Sequence, residues 1–409
     1  MGNQEIGRKI KQELRGGRVM KTVKLGLDIG NSSVKGVILS EQNVLLKSIL
    51  VPSAVNYLHD ERTLSYPDVN TRYVQVLETP LAHSKEIAAI GTRAMELPGY
   101  QQFDVGSTSY KTDHEITASL LYGIIGDLVG TADEIGVVLA VSVPIVESKT
   151  FHLVEQYQNK LTGDHKIRIY EPTGSREVTV HIQTARVLNE GQAGFFGLLD
   201  TQDKTFRKTM DTLYAALKEM PTMIPTLEDF LVVDIGEGTT DLAVFRNKRF
   251  NPEYSYSVTK GYGTVLELAM ADAEREGITV ESRKSLQNLL TTDNPRRASQ
   301  KEMWQKYVMP QKQAYIDEII TTLLKAYGRQ SFLDAVIFLG GGFTALTGYN
   351  VADDGVITNA DDYLFTELTA VMSKNHKEAG IIFGVPGAYS QTVNSRGLMQ
   401  VLTSIPVKK

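Results

Sequence analysis

Apolar residues recur along this chain with two periods, and the places where the period changes mark its elements. Continuous aliphatic and β-branched runs predict buried strands at residues 23–29, 34–40 and 43–50, closed by Pro52, and again at 230–235, 240–246 and 252–258. Both triplets read as meanders. Between and after them, strands are expected at 73–77, 87–91, 136–144, 178–188 and 335–339. Helical spacing predicts helices at 114–126, from Pro144 and Ser148 onward, from Glu190, at 263–276 and at 301–327, the last long and charged. Residues 53–112 form a mixed insertion with turn-rich stretches around Pro67 and Pro98. Before the first strand, Ile6, Ile10 and Leu14 fall at helical spacing with Arg8, Lys9 and Lys11 between them. Three apolar side chains bury too little area to hold a bilayer, so a frayed tail is favoured there and the fold is expected to begin at Lys21.

The two meanders open with one design written twice. LGLDIGNSSVKG at 25–36 and LVVDIGEGTTDLAVF at 231–245 each run an apolar strand into an Asp, then a Gly, then small hydroxyl residues and a second apolar run. That is a strand, tight turn, strand hairpin. Its chemistry suits a polyphosphate. Gly30, Gly236 and Gly238 let the backbone approach closely, and successive turn N–H groups form an anion-binding nest. Asp28 and Asp234, fixed at strand ends, can hold a hydrated Mg²⁺ between the hairpins, since magnesium keeps several waters and uses few carboxylates. A lone hairpin of this kind is an ordinary turn more often than a site; two copies reverse those odds. A third stretch, AVIFLGGGFTALTG at 335–348, runs a strand into Gly340, Gly341 and Gly342 and then a helix, exposing bare backbone where a flat ring or phosphate can lie. Neither a Walker A loop nor a G-x-G-x-x-G fingerprint is present there.

Composition narrows the classes without choosing one. With 409 residues, 42% hydrophobic and 22% charged, the chain is an ordinary soluble globular protein of two or three domains. A net charge of −5 argues against direct nucleic-acid binding. The absence of cysteine removes disulfides, thiolate metal sites and thiol catalysis. No apolar run reaches the length of a membrane span and the polar start has no signal-peptide core, so a cytoplasmic protein without a membrane partner is expected. The seven histidines show no metal-ligand spacing, and Trp304 and the 18 tyrosines read as packing residues. Asp113, in KTDHEIT, reads as a helix N-cap, and 293–297 as an exposed loop.

These motifs, in this order, resemble the superfamily of actin, the heat-shock chaperone ATPases and the sugar kinases. Residues 25–36 match its first phosphate loop, with Gly30, Asn31, Ser32 and Ser33 at the turn and Lys35, seven positions after Asp28, where actins place a lysine on the β-phosphate. Residues 231–245 match the second loop through Asp234, Gly236, Glu237, Gly238, Thr239 and Thr240. Residues 335–348 match the adenosine loop, with Gly340, Gly341, Gly342 and Phe343. ARVLNEGQAGFFG at 185–197 resembles the first connecting segment, whose Asn-Glu-x-x-Ala pattern appears as Asn189, Glu190 and Ala193. Glu190 inherits from that family the role of orienting the attacking water, with Gln192 as a fallback. NHKEAGIIFGVPGAYSQ at 375–391 resembles the second connecting segment, with Ala379 or Gly380 as its small hinge residue.

The resemblance implies an α/β, ribonuclease H-like duplicated fold with mixed sheets, flanking helices and a nucleotide in the interdomain cleft. It implies a first domain at 21–200 with 53–112 as a small subdomain, a second at 201–374, and a segment at 375–409 packing back on the first. Within the superfamily, a chaperone would need further domains after the ATPase core. A sugar kinase would need another Asp as general base. The two-half plan and short tail are most similar to plasmid-segregating bacterial actins of the ParM type. That family implies Mg²⁺-dependent hydrolysis of ATP or GTP in a head-to-tail filament, with an adaptor protein bound to centromere-like plasmid DNA. A monomeric small-molecule kinase or phosphatase, or a membrane-associated bacterial actin, are the alternatives.

Overall fold

A computed structural model describes residues 20–67, 71–82, 85–103, 110–200, 202–218, 227–351, 357–358 and 362–407. All but the last residue of the expected extension at 1–20 lies outside them. The chain divides into two compact units: one holds the described residues up to Leu198 and from Asn394 on, the other Leu199–Val393.

The first unit is built on ten strands, β1 (Thr22–Ile29), β2 (Ser33–Leu39), β3 (Leu45–Pro52), β4 (Ala54–Leu58), β5 (Tyr73–Glu78), β6 (Ile87–Ile90), β7 (Gln101–Gln102), β8 (Glu134–Val143), β9 (Gly163–Glu171) and β10 (Gly174–Asn189). They form one sheet in the order β3-β2-β1-β8-β10-β9-β5-β6-β4-β7. The hairpin β1–β2 is antiparallel, while β1, β8 and β10 run parallel. Strand β8 is without a polar side chain from Ile135 to Val141 because both its faces are covered. Val137, Leu139 and Val141 face a core shared with Leu120, Leu121 and Ile124 of helix Glu115–Val129, whereas Val138 and Ala140 face Ala193, Leu398 and Leu402 of helices Glu190–Leu198 and Val393–Ser404.

Two devices hold the last helix on the sheet. Gly26 in β1 makes room for it, since a Cβ there would stand 3.0 Å from that of Leu398. Lys24, almost fully buried in the same strand, donates from Nζ to the carbonyls of Leu402 at 2.9 Å and Ile405 at 2.5 Å. A cation there meets the negative end of the helix dipole. The two helices cross within van der Waals reach at Gly397, where a Cβ would lie 2.7 Å from the Ala193 carbonyl carbon and 2.9 Å from the Gly197 nitrogen.

The second unit repeats the plan. Strands β11 (Phe230–Ile235), β12 (Thr240–Arg246), β13 (Arg249–Phe250), β14 (Tyr256–Val258), β15 (Phe332–Leu339) and β18 (Glu378–Gly384) make a six-stranded sheet in the order β13-β12-β11-β15-β18, with β14 pairing β12; β16 (Asn350–Val351) and β17 (Ile357–Thr358) form a separate ribbon. Strands β11, β15 and β18 run parallel, as β1, β8 and β10 do. Helices Tyr262–Arg275, Arg283–Thr291 and Ala298–Tyr327 pack beside this sheet, and Trp304 is buried as expected of a packing residue.

Several expectations need correction. The strand expected at 252–258 shortens to Tyr256–Val258, because Pro252 has no N–H to give a ladder and residues 252–254 turn instead. Strand β9 was not foreseen, although His165, Ile167 and Ile169 alternate inward between charged neighbours. His114, not Asp113, caps helix Glu115–Val129, accepting from Ile116 N at 3.3 Å; Asp113 pairs with Lys160 at 2.8 Å. The segment expected from 375 to return to the first domain divides: β18 extends the second unit's sheet, and Asn394 onward belongs to the first unit. Ala379 and Gly380 are therefore strand residues, and the small residue at the helix crossing is Gly397.

Candidate functional site

In the first unit the chemistry gathers where β1, β8 and β10 end. Asp28 stands opposite Lys35 across the hairpin and beside Ser142 on β8, and Ser142 in turn stands beside Leu188 on β10, two residues before Glu190. The carboxyl ends of adjacent parallel strands are where α/β sheets bind ligands. Asp28 is nearly buried; its Oδ1 accepts from Ser142 Oγ at 2.9 Å and its Oδ2 lies 3.9 Å from Lys35 Nζ. The turn between is closed by Gly30 N donating to Ser33 O at 3.1 Å. Ser53 pins it from outside, donating from Oγ to Gly30 O at 2.6 Å and from N to Ser32 O at 3.0 Å. Asn31 is half-buried, and its Oδ1 has no hydrogen-bond partner among the described residues. An orphaned acceptor at such a turn is a group left for a ligand or water to satisfy.

Glu190 begins helix Glu190–Leu198 and is buried at its first turn, where the helix dipole favours a carboxylate. Asn189 caps that helix: its Oδ1 accepts from Gln192 N at 2.8 Å and its Nδ2 donates to Gln192 Oε1 at 2.8 Å. The Gln192 amide oxygen is thus engaged in the cap. Lys111 Nζ stands 3.7 Å from Glu190 Oε1. Beneath it, buried Glu147 accepts from the backbone N–H of Lys111 at 2.9 Å and of Thr112 at 3.2 Å. Burial pushes the Glu147 carboxyl above its ordinary range, against those two hydrogen bonds.

The second unit brings its own hairpin and the glycine turn together. Gly236 N donates to Thr239 O at 2.9 Å, closing the turn as Gly30 does. Asp234, nearly buried, stands opposite Asp241, which occupies the register position held by Lys35 in the first copy. Helix Tyr262–Arg275 starts against this turn, with Tyr262 N donating to Gly236 O at 3.0 Å and Gly263 N to Glu237 O at 2.9 Å. Glu237 lies 3.4 Å from Arg283. Gly340 has φ +99, and a Cβ there would overlap Ile235 O and Asp234 Oδ1; one on Gly342 would overlap Gly236 O. Glycine is required at both positions by this close approach. Gly341 faces Gln391 at ordinary contact distance.

Two of the expected site residues turn their side chains inward. Thr240 is fully buried, its hydroxyl bonded to Tyr315 OH and to Lys260 O, so it points into the unit's core. Phe343 is also fully buried, stacked on Phe338 at 5.6 Å and edge-on to Phe365, and offers no face to a base. Among the described residues no cluster of three or more metal-ligating side chains occurs. The buried carboxylates, Asp28 in the first hairpin and Asp234 opposite Asp241 in the second, fit magnesium held largely through water, and would not fit a metal that needs a full protein cage.

Comparison with known proteins agrees with this geometry. Residues 26–192 match the family described as actin-like proteins, N-terminal domain, and residues 232–348 match the C-terminal domain of the archaeal MreB-like actin homologue. The chain is an actin-like protein. No curated protein matches its sequence. Among solved structures, ParM of Bacillus thuringiensis with ATP is 15% identical, with a TM-score of 0.56 over 93% of this chain and 98% of that one. Alp7A, described as an actin-like protein, is 12% identical, with a TM-score of 0.59 over 94% and 96%. The archaeal actin homologue Ta0583 is 16% identical, with a TM-score of 0.57 over 93% and 98%. At such identities the likeness establishes the actin-like fold.

The actin-like protein also contains site residues that sequence reasoning passed over. Ser53, between β3 and β4, and Ser142, on β8, brace the first hairpin, and Lys111 stands beside Glu190 on a turn that Glu147 holds. A serine at a strand end and a lysine in a short turn carry no periodic or motif signal. No described helix is long and apolar enough to cross a membrane.

Proposed function

We infer that this actin-like protein binds and hydrolyses a nucleoside triphosphate with Mg²⁺ and assembles into filaments. One observation carries the reading: the Asp-Gly hairpin occurs once in each unit, each time at the carboxyl ends of parallel strands. Phosphoryl transfer asks for positioning and charge neutralisation, which is what these elements offer. The N–H groups at 31–33 and 237–239 donate to phosphate oxygens, and Lys35 adds a positive charge beside the first turn. Asp28 and Asp234 would each offer a carboxylate to a hydrated Mg²⁺, which would supply further charge neutralisation at the phosphates. Glu190 orients the attacking water. The bare backbone of Gly340–Gly342 receives the nucleoside. Bacillus thuringiensis ParM has been solved with ATP, ADP and AMPPNP, which supports ATP as the first nucleotide to test, with GTP beside it.

The resemblance to plasmid-segregating actins carries the reading further. Head-to-tail self-association is a heterologous contact that does not close, so it propagates as a filament. In the cytoplasm such a filament would move plasmid DNA through an adaptor protein bound at a centromere-like site, without itself touching nucleic acid or membrane. The test is binding of a fluorescent ATP or GTP analogue, followed by pelleting. Saturable, Mg²⁺-dependent binding that Asp234→Ala abolishes, with nucleotide-dependent pelleting, is expected. A chain that binds neither nucleotide overturns the reading.

A further inference from the structure

The loop that carries Lys111 is held more firmly than its length requires. Lys111–Asp113 is a single 3₁₀ turn, yet the Glu147 carboxylate accepts from two of its consecutive N–H groups and Thr117 Oγ1 donates to the Lys111 carbonyl at 2.6 Å. The backbone of Lys111 is thereby fixed at both its N–H and its C=O. Glu147 itself is 3% exposed, so a carboxylate has been buried to hold this turn. Such burial is costly without compensation. Toward Glu190 the turn presents the Lys111 side chain, 14% exposed, whose ammonium lies 3.7 Å from the Glu190 carboxylate, itself 10% exposed. These groups come from three separate stretches of the first unit.

We propose that Lys111 is a positioning residue for Glu190: its ammonium holds that carboxylate in one orientation at the head of helix Glu190–Leu198, and Glu147 locks the turn from which Lys111 reaches. A carboxylate that holds a water in line must keep its direction, and a fixed cation beside Oε1 supplies that constraint. The inference rests on Glu190 orienting water, as proposed above. It differs from a phosphate contact, because a lysine acting on the nucleotide would matter to binding whether or not Glu190 is present.

The test uses the full chain and compares Lys111→Met, Lys111→Arg, Glu190→Gln and the Met/Gln double variant. Nucleotide affinity, single-turnover phosphate release and thermal midpoint are measured for each. Lys111→Met is expected to lower the hydrolysis rate by about ten- to a hundredfold, the scale of a misplaced reacting group, with nucleotide Kd unchanged. Lys111→Arg restores most of the rate. In the Glu190→Gln background Lys111→Met produces no further loss. Unchanged hydrolysis in Lys111→Met overturns the proposal, and so does a weakened Kd or a rate loss that persists undiminished in the Glu190→Gln background. Should Lys111→Met lower the thermal midpoint, Lys111→Gln serves as the charge-removing variant on the same criteria. A wild-type chain that binds nucleotide without hydrolysing it defeats the hydrolytic reading itself, and this role for Lys111 with it; that outcome is read before any variant is made.

Discussion

Replacing Gly397 by Ala puts a methyl group where two helices already touch backbone to backbone. A Cβ at that position would lie 2.7 Å from the Ala193 carbonyl carbon and 2.9 Å from the Gly197 nitrogen, and would overlap the Ala193 oxygen. No side-chain rotation relieves contacts with backbone, so helices Glu190–Leu198 and Val393–Ser404 must separate. On an isolated helix the same change would stabilise by about 1 kcal/mol, from propensity alone. Overpacking a tight contact costs about 1–3 kcal/mol, and backbone clashes belong at the upper end. The net expectation is a loss of about 1–2 kcal/mol. Gly126→Ala is the matched control: it lies in helix Glu115–Val129, where a Cβ would meet Ile169 at 3.6 Å and Ile167 at 4.0 Å, both ordinary contacts. There the propensity gain should survive, giving about 0.5–1 kcal/mol of added stability. Urea unfolding followed by far-ultraviolet circular dichroism measures both. Because the crossing lies one turn from Glu190, Gly397→Ala should also slow hydrolysis. A Gly397→Ala protein as stable as the parent would refute the close crossing.

Other consequences follow from single residues. Gly340→Ala forces a side chain into φ +99 and into overlap with Ile235 O and Asp234 Oδ1, so it should cost at least about 2 kcal/mol and weaken nucleotide binding, read by urea midpoint and analogue titration. Lys24→Met removes the donor to the carbonyls of Leu402 and Ile405; Leu402 O keeps the Ile405 N–H, and the donor lost to Ile405 O should cost about 1–3 kcal/mol in the same unfolding assay. His165 is buried, hydrogen-bonded through Nε2 to Leu161 O and through Nδ1 to the Thr79 hydroxyl, and burial holds its pKa below 6.5. The stability linked to its neutral form is fully present above the unfolded value of 6.5 and is lost as pH falls through the lower folded value. Urea midpoints should therefore drop toward acid more steeply in the parent than in His165→Asn, and equal slopes would contradict this.

Much of the site could be read before the fold was seen, because its signal is local. Asp28, Gly30, Asp234 and Gly236 lie within two apolar strand-turn-strand runs, and the strands that flank them are long and unbroken. What escaped depends on long-range placement. Lys24 meets its carbonyl partner 378 residues away, and Gly397 matters only because Ala193 is opposite it. Phe343 beside a glycine run reads as a platform for a base, yet its neighbours Phe338, Tyr349 and Phe365 enclose it in an aromatic core. Thr240 follows the hairpin motif, but the strand's alternation turns its hydroxyl toward Tyr315. Strand β9 hid behind its charged half, and the third strand of the second meander was overestimated because Pro252 was read through rather than as a break.

Coupling of nucleotide hydrolysis to assembly in this actin-like protein is read by recording right-angle light scattering and phosphate release together. Mg-ATP or Mg-GTP is added across a series of protein concentrations. A scattering rise above a sharp critical concentration, phosphate release following assembly, and loss of that release in Glu190→Gln are expected. Flat scattering at every concentration, with steady turnover or turnover that needs a small-molecule acceptor, would contradict the coupling.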